Sequence, residues 1–301
     1  MRNISKMTFP DLVMAELDVS IEPSLYIGEK LGVPVVVDLH NITPEELVAA
    51  GVIDEDSKGF SDLQESLRSM LNRVDGIIVV SEEMAEYVKE NYGLANSRIA
   101  IVPPGGGPKK MAESKRTKPS VVYSGMLTYR DHADLLIQSI PYVTASKKDA
   151  QFYLTRKGEL LRSLTSLSRR LSVKPNFFWY PDERSFYTFL SSCHIGVLPS
   201  TDDQARRMGT PVKLLDYMSV GLPIVANYIG SWSGMIRKYK IGLLTEDSPK
   251  DFAQGILTLL EDTTLAENCS KRARQLAHGP LSWKRSSKIL EDFLKKIVQK
   301  G

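Results

Sequence analysis

Cysteine is scarce in this sequence, since Cys193 and Cys269 are the only two in 301 residues. Two isolated thiols exclude a disulfide framework and offer no spacing for a zinc site. Cys193 stands in SSCHIGVLPS, where apolar residues alternate as in a buried strand, so we expect a packed thiol rather than a nucleophile. Such cysteine usage is typical of a reducing compartment and predicts a cytoplasmic protein.

Long apolar runs and a strong charge imbalance are also missing. No segment is long and apolar enough to span a bilayer, and the first residues show no signal-peptide core. The net charge of +3 is too small and too evenly spread to argue for nucleic acid as a partner. The densest basic stretch comprises Lys109, Lys110, Lys115, Arg116 and Lys118. We interpret it as a solvated linker, with contact to an anionic membrane surface as the alternative, and expect a soluble, at most peripheral protein.

Strand-like and helical patterns alternate along almost the whole chain, which at 301 residues is long enough for two domains. In the first part, short β-branched runs lie at residues 12–15, 35–39, 77–80 and 99–102. Helical patterns lie between them, near residues 22–32, 61–73 and 82–92. This alternation is typical of a parallel sheet with right-handed crossovers. Residues 103–119, with three consecutive glycines and several prolines, predict a linker between domains.

The same alternation restarts after the linker. Strand-like runs lie at residues 121–124, 151–155, 177–179, 195–198, 223–227 and 241–244. Helical patterns lie near residues 131–142, 159–171, 183–191, 211–219, 249–261, 264–277 and 281–300. We therefore predict an α/β fold of two doubly wound parallel-sheet domains, with no internal repeat.

One segment of the second domain, GTPVKLLDYMSVGLPIVA, combines a helix start with a carboxylate on the same helix face. Pro211 is favoured at a first helical position, and the amides of Val212 and Lys213 then face outward at the positive end of the helix dipole. That geometry suits a pyrophosphate, and Asp216, one turn beyond Val212, would accept hydrogen bonds from a ribose diol. The alternative is an ordinary αβ unit in which Thr210 caps the helix and Asp216 lies on a solvated face.

Five segments in this order resemble the donor domain and C-terminal helix of the GT-B glycosyltransferases of retaining family 4, which includes sucrose, glycogen and phosphatidylinositol mannosyl transferases. They are VVYSGMLTYRDHADLLIQSI, FYLTRKGELLRSLTSLSRRL, NFFWYPDERSFYTFLSSCHIGVLPS, the helix-start segment above and LSWKRSSKILEDFL. The resemblance implies GT-B architecture, with two Rossmann-like domains that face a cleft. It divides the chain into a partial acceptor-side domain at 1–104, a linker at 105–118, a donor domain at 119–280 and a helix at 281–301 that packs back on the first domain.

The resemblance also implies that the first domain is incomplete, because such domains begin with several βα units before the strand matching residues 12–15. At roughly thirty residues per βαβ unit, about eighty residues are expected to be missing. The remaining sheet would expose an edge strand that is open to self-association or to a partner chain. A truncated product, a two-chain enzyme and an inactive relic are the three explanations.

This family implies a hexosyltransferase-type enzyme that transfers a sugar from a UDP- or GDP-linked donor to a carbohydrate or lipid-linked acceptor with retention of configuration. Helix amides and cationic side chains, rather than a metal or another cofactor, would neutralise the diphosphate leaving group. The alternative is a catalytically inactive nucleotide-sugar-binding or scaffold subunit. An epimerase or phosphorylase is disfavoured, because the sequence shows neither an epimerase acid pair nor the context of a phosphorylase cofactor lysine.

The helix-start segment carries the family's main donor motif. Asp216 matches the second glutamate of an E-x7-E motif and is expected to contact the ribose and to take part in catalysis, whereas Met208 replaces the first glutamate. Asp202 and Asp203 are alternatives for that missing carboxylate, or they are surface acids. A lysine in the first helical turn is unfavourable unless an anion is near, so we expect Lys213 to bind phosphate rather than to lie at the surface.

Two further parts of the donor site follow from the resemblance. Thr210 and Val212 belong to the phosphate-binding helix start. Gly125 lies in the first loop of the donor domain, where family members carry an arginine after the glycine and this chain has Met126. Arg130 is then expected to clamp phosphate, and the alternative is a surface residue at the helix entry.

The last two site predictions concern an aromatic residue and a histidine. Tyr180 follows the base-pocket strand and is expected to face the nucleobase, with a structural turn as the alternative. His40 ends the strand-like run at 35–39, where family members often carry an acceptor-contacting histidine, so His40 joins Asp216 as a catalytic prediction. The remaining histidines, expected at the surface or in packing, are His132, His194 and His278.

Overall fold

Two parallel β-sheets organise the part of the chain that the computed structural model describes, residues 9–299. One unit consists of the chain up to Pro103 together with the C-terminal stretch from Ser286, and the other unit runs from Pro104 to Arg285. Each unit has its own sheet flanked by helices, which confirms the predicted α/β fold class. Within residues 9–299, no helix is long and apolar enough to cross a membrane.

The first unit contains a four-stranded parallel sheet whose strands follow chain order. Its strands are β1 (Val13–Glu16), β2 (Val35–Leu39), β3 (Gly76–Val79) and β4 (Ile99–Ile101). Its helices are α1 (Ile21–Leu31), α2 (Thr43–Ala49), α3 (Lys58–Arg73) and α4 (Glu82–Tyr92). The central strands β2 and β3 are almost continuously apolar and buried, as is typical of parallel sheets with covered faces.

Local sequence signals set the ends of these helices. The side chains of Ser57 and Ser81 accept hydrogen bonds from the amides of Phe60 and Met84, and they thereby cap the amino ends of α3 and α4. Helix α4 ends at Gly93, whose φ of 70° lies in the left-handed region that glycine adopts without strain. The helical spans expected from the sequence are therefore reproduced here to within a few residues.

The second unit contains a six-stranded parallel sheet. Its strands are β5 (Ser120–Tyr123), β6 (Gln151–Thr155), β7 (Asn176–Phe178), β8 (Ile195–Leu198), β9 (Ile224–Asn227) and β10 (Gly242–Thr245). They are ordered β10-β9-β8-β5-β6-β7, so the direction of winding reverses between β5 and β8. Open α/β sheets bind ligands at such a switch point, beyond the carboxyl ends of the strands.

Helices cover both faces of this sheet. They are α5 (Ala133–Ser146), α6 (Leu161–Arg170), α7 (Glu183–Ser192), α8 (Gln204–Met208), α9 (Val212–Val220), α10 (Gly230–Tyr239), α11 (Pro249–Glu261) and α12 (Thr263–His278). Alternate residues of β5 face two different cores: Val121 and Tyr123 are buried with residues of α5 and α11, and Val122 is buried with residues of α9. This doubly wound packing fixes the start of α9 relative to the strand ends.

The C-terminal helix α13 (Trp283–Val298) belongs mostly to the first unit. Ile297 is buried in one cluster with Ile78 of β3. Gly76 leaves room for this helix, because a Cβ at that position would lie 2.9 Å from the ring of Phe293. The small residue at the start of β3 therefore has a packing reason.

Three helices were not expected from the sequence: α2, α8 and α10. Helix α8 has only five residues, too few for a helical period to register. Helix α10 reads GSWSGMIRKY, whose glycines and serines are weak helix formers, and it is held by buried Trp232 and Ile236. The two cysteines are both buried, as predicted for Cys193.

Candidate functional site

A cavity of about 610 Å³ opens at the carboxyl ends of the central strands of the second unit. Its wall comes from the loop after β5, the turn after β7, the short helix α8 and the start of α9. Six of the seven predicted donor-binding residues line it: Gly125, Arg130, Tyr180, Val212, Lys213 and Asp216. The seventh, Thr210, is not part of the described lining, and its hydroxyl lies 3.4 Å from that of Ser231.

The start of α9 differs in detail from the sequence prediction. The helix begins at Val212, and Pro211 is the N-cap residue rather than the first helical residue. The alternative in which Thr210 is the N-cap residue is also wrong, since Pro211 occupies that position. Val212 is 58% exposed, and Pro211, Val212 and Lys213 all line the cavity, so the first turn of α9 lies at its wall.

Lys213 is buried rather than exposed, which excludes the surface alternative. Its Nζ donates to Asp131 Oδ1 at 2.7 Å and to the Tyr123 hydroxyl at 2.8 Å, and it lies 4.4 Å from the centre of the Tyr123 ring. A lysine in the first helical turn needs an anion beside it, and Asp131 is that anion within the chain. Gly125 makes room for the lysine, because a Cβ there would lie 2.6 Å from Nζ.

Electrostatics favour an ionised Asp131 in this cluster. Burial opposes its ionisation, but Lys213, Thr128 and Arg206 together outweigh burial, so the pKa of the Asp131 carboxyl lies below its ordinary value of 3.8. Burial lowers the pKa of the Lys213 ammonium, and Asp131 acts in the opposite direction. Asp131 is therefore the internal counter-ion of Lys213.

Arg130 does not project as a surface residue at the helix entry. Its side chain is 13% exposed, and Nη2 lies 3.3 Å from Asp203 Oδ1. Asp203 also accepts a hydrogen bond from the Arg206 amide at 2.8 Å and so caps α8. Asp202 is exposed and forms a two-pronged ion pair with Arg207 at 2.7 and 2.8 Å. Both acids are thus engaged in local contacts, and neither lines the described cavity as a substitute for the carboxylate that Met208 replaces.

Asp216 lies in the wall of the cavity and not on a solvated helix face. Its Oδ1 accepts a hydrogen bond of 2.6 Å from the hydroxyl of Tyr187 on α7. Burial raises the pKa of the Asp216 carboxyl, and the bond from Tyr187 offsets part of that effect. Tyr180 packs at 4.3 Å on the ring of Phe186, which lines the same cavity. A carboxylate and an aromatic face therefore lie in the wall of the same cavity.

His40 lies in the first unit, directly after β2. Its Nε2 is 3.1 Å from Glu16 Oε1 and 3.5 Å from Asp38 Oδ2, because Glu16 and Asp38 are paired in register on β1 and β2. Burial raises the pKa of the Asp38 carboxyl, with His40 lowering it and Glu16 raising it further. Among residues 9–299, this trio is the group whose ligand atoms are close enough to hold a metal ion. The predicted absence of a metal and the catalytic role of His40 both stay predictions.

Several residues that line the cavity or hydrogen-bond to its lining were missed by sequence reasoning. Tyr187 and the pairing of Asp131 with Lys213 involve residues far apart in the chain, so no local pattern indicates them. Arg206 also lines the cavity, from a helix too short to be recognised. The available signal was the pair Arg206-Arg207 directly before the helix-start segment, although nothing in the sequence distinguishes which arginine turns inward.

Both units match family models of glycosyltransferases. Residues 118–262 match the family model Glycosyl transferases group 1, and residues 9–106 match the model Glycosyltransferase Family 4. The GDP-mannose-dependent monoacylated alpha-(1-6)-phosphatidylinositol monomannoside mannosyltransferase of Corynebacterium glutamicum is 24% identical over 255 residues, which cover 78% of this chain and 65% of that protein.

Solved structures show the same fold. A TarM variant from S. aureus, in complex with fondaparinux, alpha-GlcNAc-glycerol and UDP, superposes with a TM-score of 0.75 at 17% identity, covering 98% of this chain and 57% of that one. Sucrose-phosphate synthase from Thermosynechococcus elongatus superposes with a TM-score of 0.78 at 16% identity, covering 97% of this chain and 74% of that one. HepE from Anabaena, in complex with UDP and glucose, superposes with a TM-score of 0.77 at 14% identity, covering 95% of this chain and 78% of that one. The chain thus spans less than two thirds of the mannosyltransferase and of TarM. Each of its two units matches a glycosyltransferase family model, and its fold is the GT-B fold of these structures.

Proposed function

We propose that this chain binds a nucleotide-diphosphate sugar in the cavity of the second unit and transfers the sugar to an acceptor. The observation that carries this proposal is the convergence of Lys213, Arg130 and the open start of α9 in one cavity with Asp216. Cations and a helix start suit a diphosphate, and a carboxylate suits a sugar hydroxyl. The names of the relatives, with GDP-mannose or UDP, support a UDP- or GDP-linked donor.

Each residue has a role in this proposal. Lys213 and Arg130 hold the diphosphate, whose negative charge grows as the sugar departs, so a preorganised cation stabilises the transition state more than the ground state. Asp216 accepts hydrogen bonds from the ribose, and Tyr180 stacks on the nucleobase. Gly125, Thr210 and Val212 supply backbone close to the phosphates. We propose metal-independent transfer with retention of configuration, with Lys213 and Arg130 supplying the positive charge beside the diphosphate.

The acceptor side of the proposal rests on the first unit. His40 stands beside Glu16 and Asp38, and its imidazole can hydrogen-bond a hydroxyl group. We propose that His40 contacts a carbohydrate or lipid-linked acceptor. The edge strand β1 is the place where a partner chain or a second copy would add to the sheet, and a peripheral membrane location would suit a lipid-linked acceptor.

Turnover with a panel of UDP- and GDP-sugars tests the proposed function. Release of nucleotide is followed for the wild type, for Lys213→Ala, for Asp216→Ala and for the control Arg207→Ala, whose side chain is 57% exposed and paired with Asp202. The proposal expects activity in the wild type and in the control, and a fall of at least about tenfold in the other two. Binding of nucleotide without turnover would identify a scaffold subunit instead, and equal turnover in all variants would remove the site from this cavity.

A further inference from the structure

Arg206 is a cation of the cavity that no sequence motif indicates. We propose that Arg206 binds the donor diphosphate together with Lys213, and that it adds positive charge to a site whose first loop carries Met126 directly after Gly125. The inference rests on the proposed function. It adds a cationic side chain from α8 to a site whose other cations, Arg130 and Lys213, come from the loop after β5 and from α9. The loop after β5 contributes Arg130 as its cation, whereas the residue directly after Gly125 is Met126, which is apolar and 47% exposed.

Two neighbouring arginines of α8 have opposite settings. Arg206 has a side chain that is 24% exposed, lines the cavity and approaches Asp131 Oδ1 at 3.4 Å through Nη2. Arg207 is 57% exposed and pairs with Asp202 outside the cavity. The cap that Asp203 makes on the Arg206 amide fixes the rotation of this short helix. The fold therefore turns one arginine of the pair inward.

Unpaired polar atoms of the cavity wall support a bound anion. The Nε of Arg206 is buried, and within residues 9–299 it has no hydrogen-bond partner. Ser124, which is only 2% exposed, lines the same cavity. Its hydroxyl oxygen is also buried and has no hydrogen-bond partner within residues 9–299. Buried donors are nearly always paired in folded proteins, so an unpaired guanidinium N–H and an unpaired hydroxyl on two residues that line one cavity support an acceptor that binds there.

The charges of the cluster around Asp131 also support a bound anion. Lys213 and Arg206 approach the same oxygen of Asp131, and the other oxygen of Asp131 accepts a hydrogen bond of 2.5 Å from Thr128. Two cations thus share one carboxylate. A diphosphate that enters beside them finds a positive charge that Asp131 does not neutralise, and the planar guanidinium offers two parallel N–H groups to phosphate oxygens.

Calorimetric titration of Arg206→Ala, with Arg207→Ala as the matched control, tests this inference. UDP and GDP are each compared with uridine and guanosine, because only the diphosphates reach the cation. We expect Arg206→Ala to bind the diphosphate about 10- to 100-fold more weakly, as for the loss of charge-assisted hydrogen bonds, with unchanged nucleoside affinity. Arg207→Ala is expected to match the wild type in both.

A second variant guards against a folding defect in Arg206→Ala. Arg206→Lys keeps the charge but loses the planar fork, so its diphosphate affinity is expected to lie between those of the wild type and the alanine variant. Equal diphosphate affinity in Arg206→Ala and Arg207→Ala would overturn the inference and leave the proposed function intact. Failure of the wild type to bind either diphosphate would instead overturn the proposed function, and the role of Arg206 with it.

Discussion

Asp131→Asn removes the carboxylate that Lys213 and Arg206 share, and its cost follows from burial. The side chains of Asp131 and Lys213 are 8% and 13% exposed, so the ion pair of 2.7 Å between them is shielded from water. Removing one partner of a buried pair costs about 3–5 kcal/mol, because the other charge stays buried without compensation. An asparagine oxygen still accepts one hydrogen bond, and we therefore expect about 3 kcal/mol. For a unit of this size that corresponds to a fall of about 6–12 °C in Tm.

The control for this variant is Asp202→Asn. Asp202 and its partner Arg207 have side chains that are 51% and 57% exposed, and pairs of that kind contribute about 1 kcal/mol or less. Urea unfolding of the two variants and the wild type at pH 7 gives the comparison. A loss in Asp131→Asn no greater than that in Asp202→Asn would refute the reasoning, since the buried pair would then contribute no more than an exposed one.

The pH dependence of the free energy of unfolding tests the same ion pair. The pKa of Asp131 in the folded protein lies below its ordinary value of 3.8, so its contribution to stability is fully present above that value. It is lost as the pH falls through the folded pKa. The difference in stability between the wild type and Asp131→Asn is therefore expected to stay constant from pH 7 to about pH 5 and to shrink below 3.8. A difference that grows on acidification would contradict this account.

Two further substitutions follow from the same cavity. Gly125→Ala places a Cβ at a φ of 152° and 2.6 Å from Lys213 Nζ, so UDP or GDP affinity measured by calorimetry is expected to fall at least about tenfold, whereas Gly107→Ala, with nothing within 4 Å, should have no effect. Tyr187→Phe removes the hydrogen bond that lowers the pKa of Asp216, so the carboxyl of the variant is protonated at a higher pH. As the pH falls, nucleotide binding is therefore expected to start weakening at a higher pH than in the wild type. An unchanged profile of affinity from pH 4 to 8 would contradict the role given to Asp216.

Regular elements with a clear period were predictable from the sequence. The β-branched runs at β2, β3 and β8 are buried strands, and their alternation with helical patterns is enough to predict two parallel sheets. The donor-binding predictions also lie together, because residues that follow parallel strands meet at one edge of the sheet. Six residues of the cavity lining were found in this way.

Contacts between distant residues were not predictable. Asp131 and Lys213 are 82 positions apart, and Tyr187 and Asp216 are 29 apart, so their pairing depends on how the helices pack and leaves no local pattern. The inward turn of Arg206 depends on a cap within five residues of helix. These contacts decide the charge of the cavity, which is why the sequence indicated where a ligand binds better than which side chains bind it.

Titration of the full chain with UDP and GDP by calorimetry tests the central claim most directly, that the cavity of the second unit is the donor site. The account predicts that at least one of the two diphosphates binds the wild type and Arg207→Ala with equal affinity. It also predicts that Lys213→Ala, which removes the buried cation beside Asp131, weakens this binding at least about tenfold. Equal affinity in Lys213→Ala and the wild type would contradict the claim.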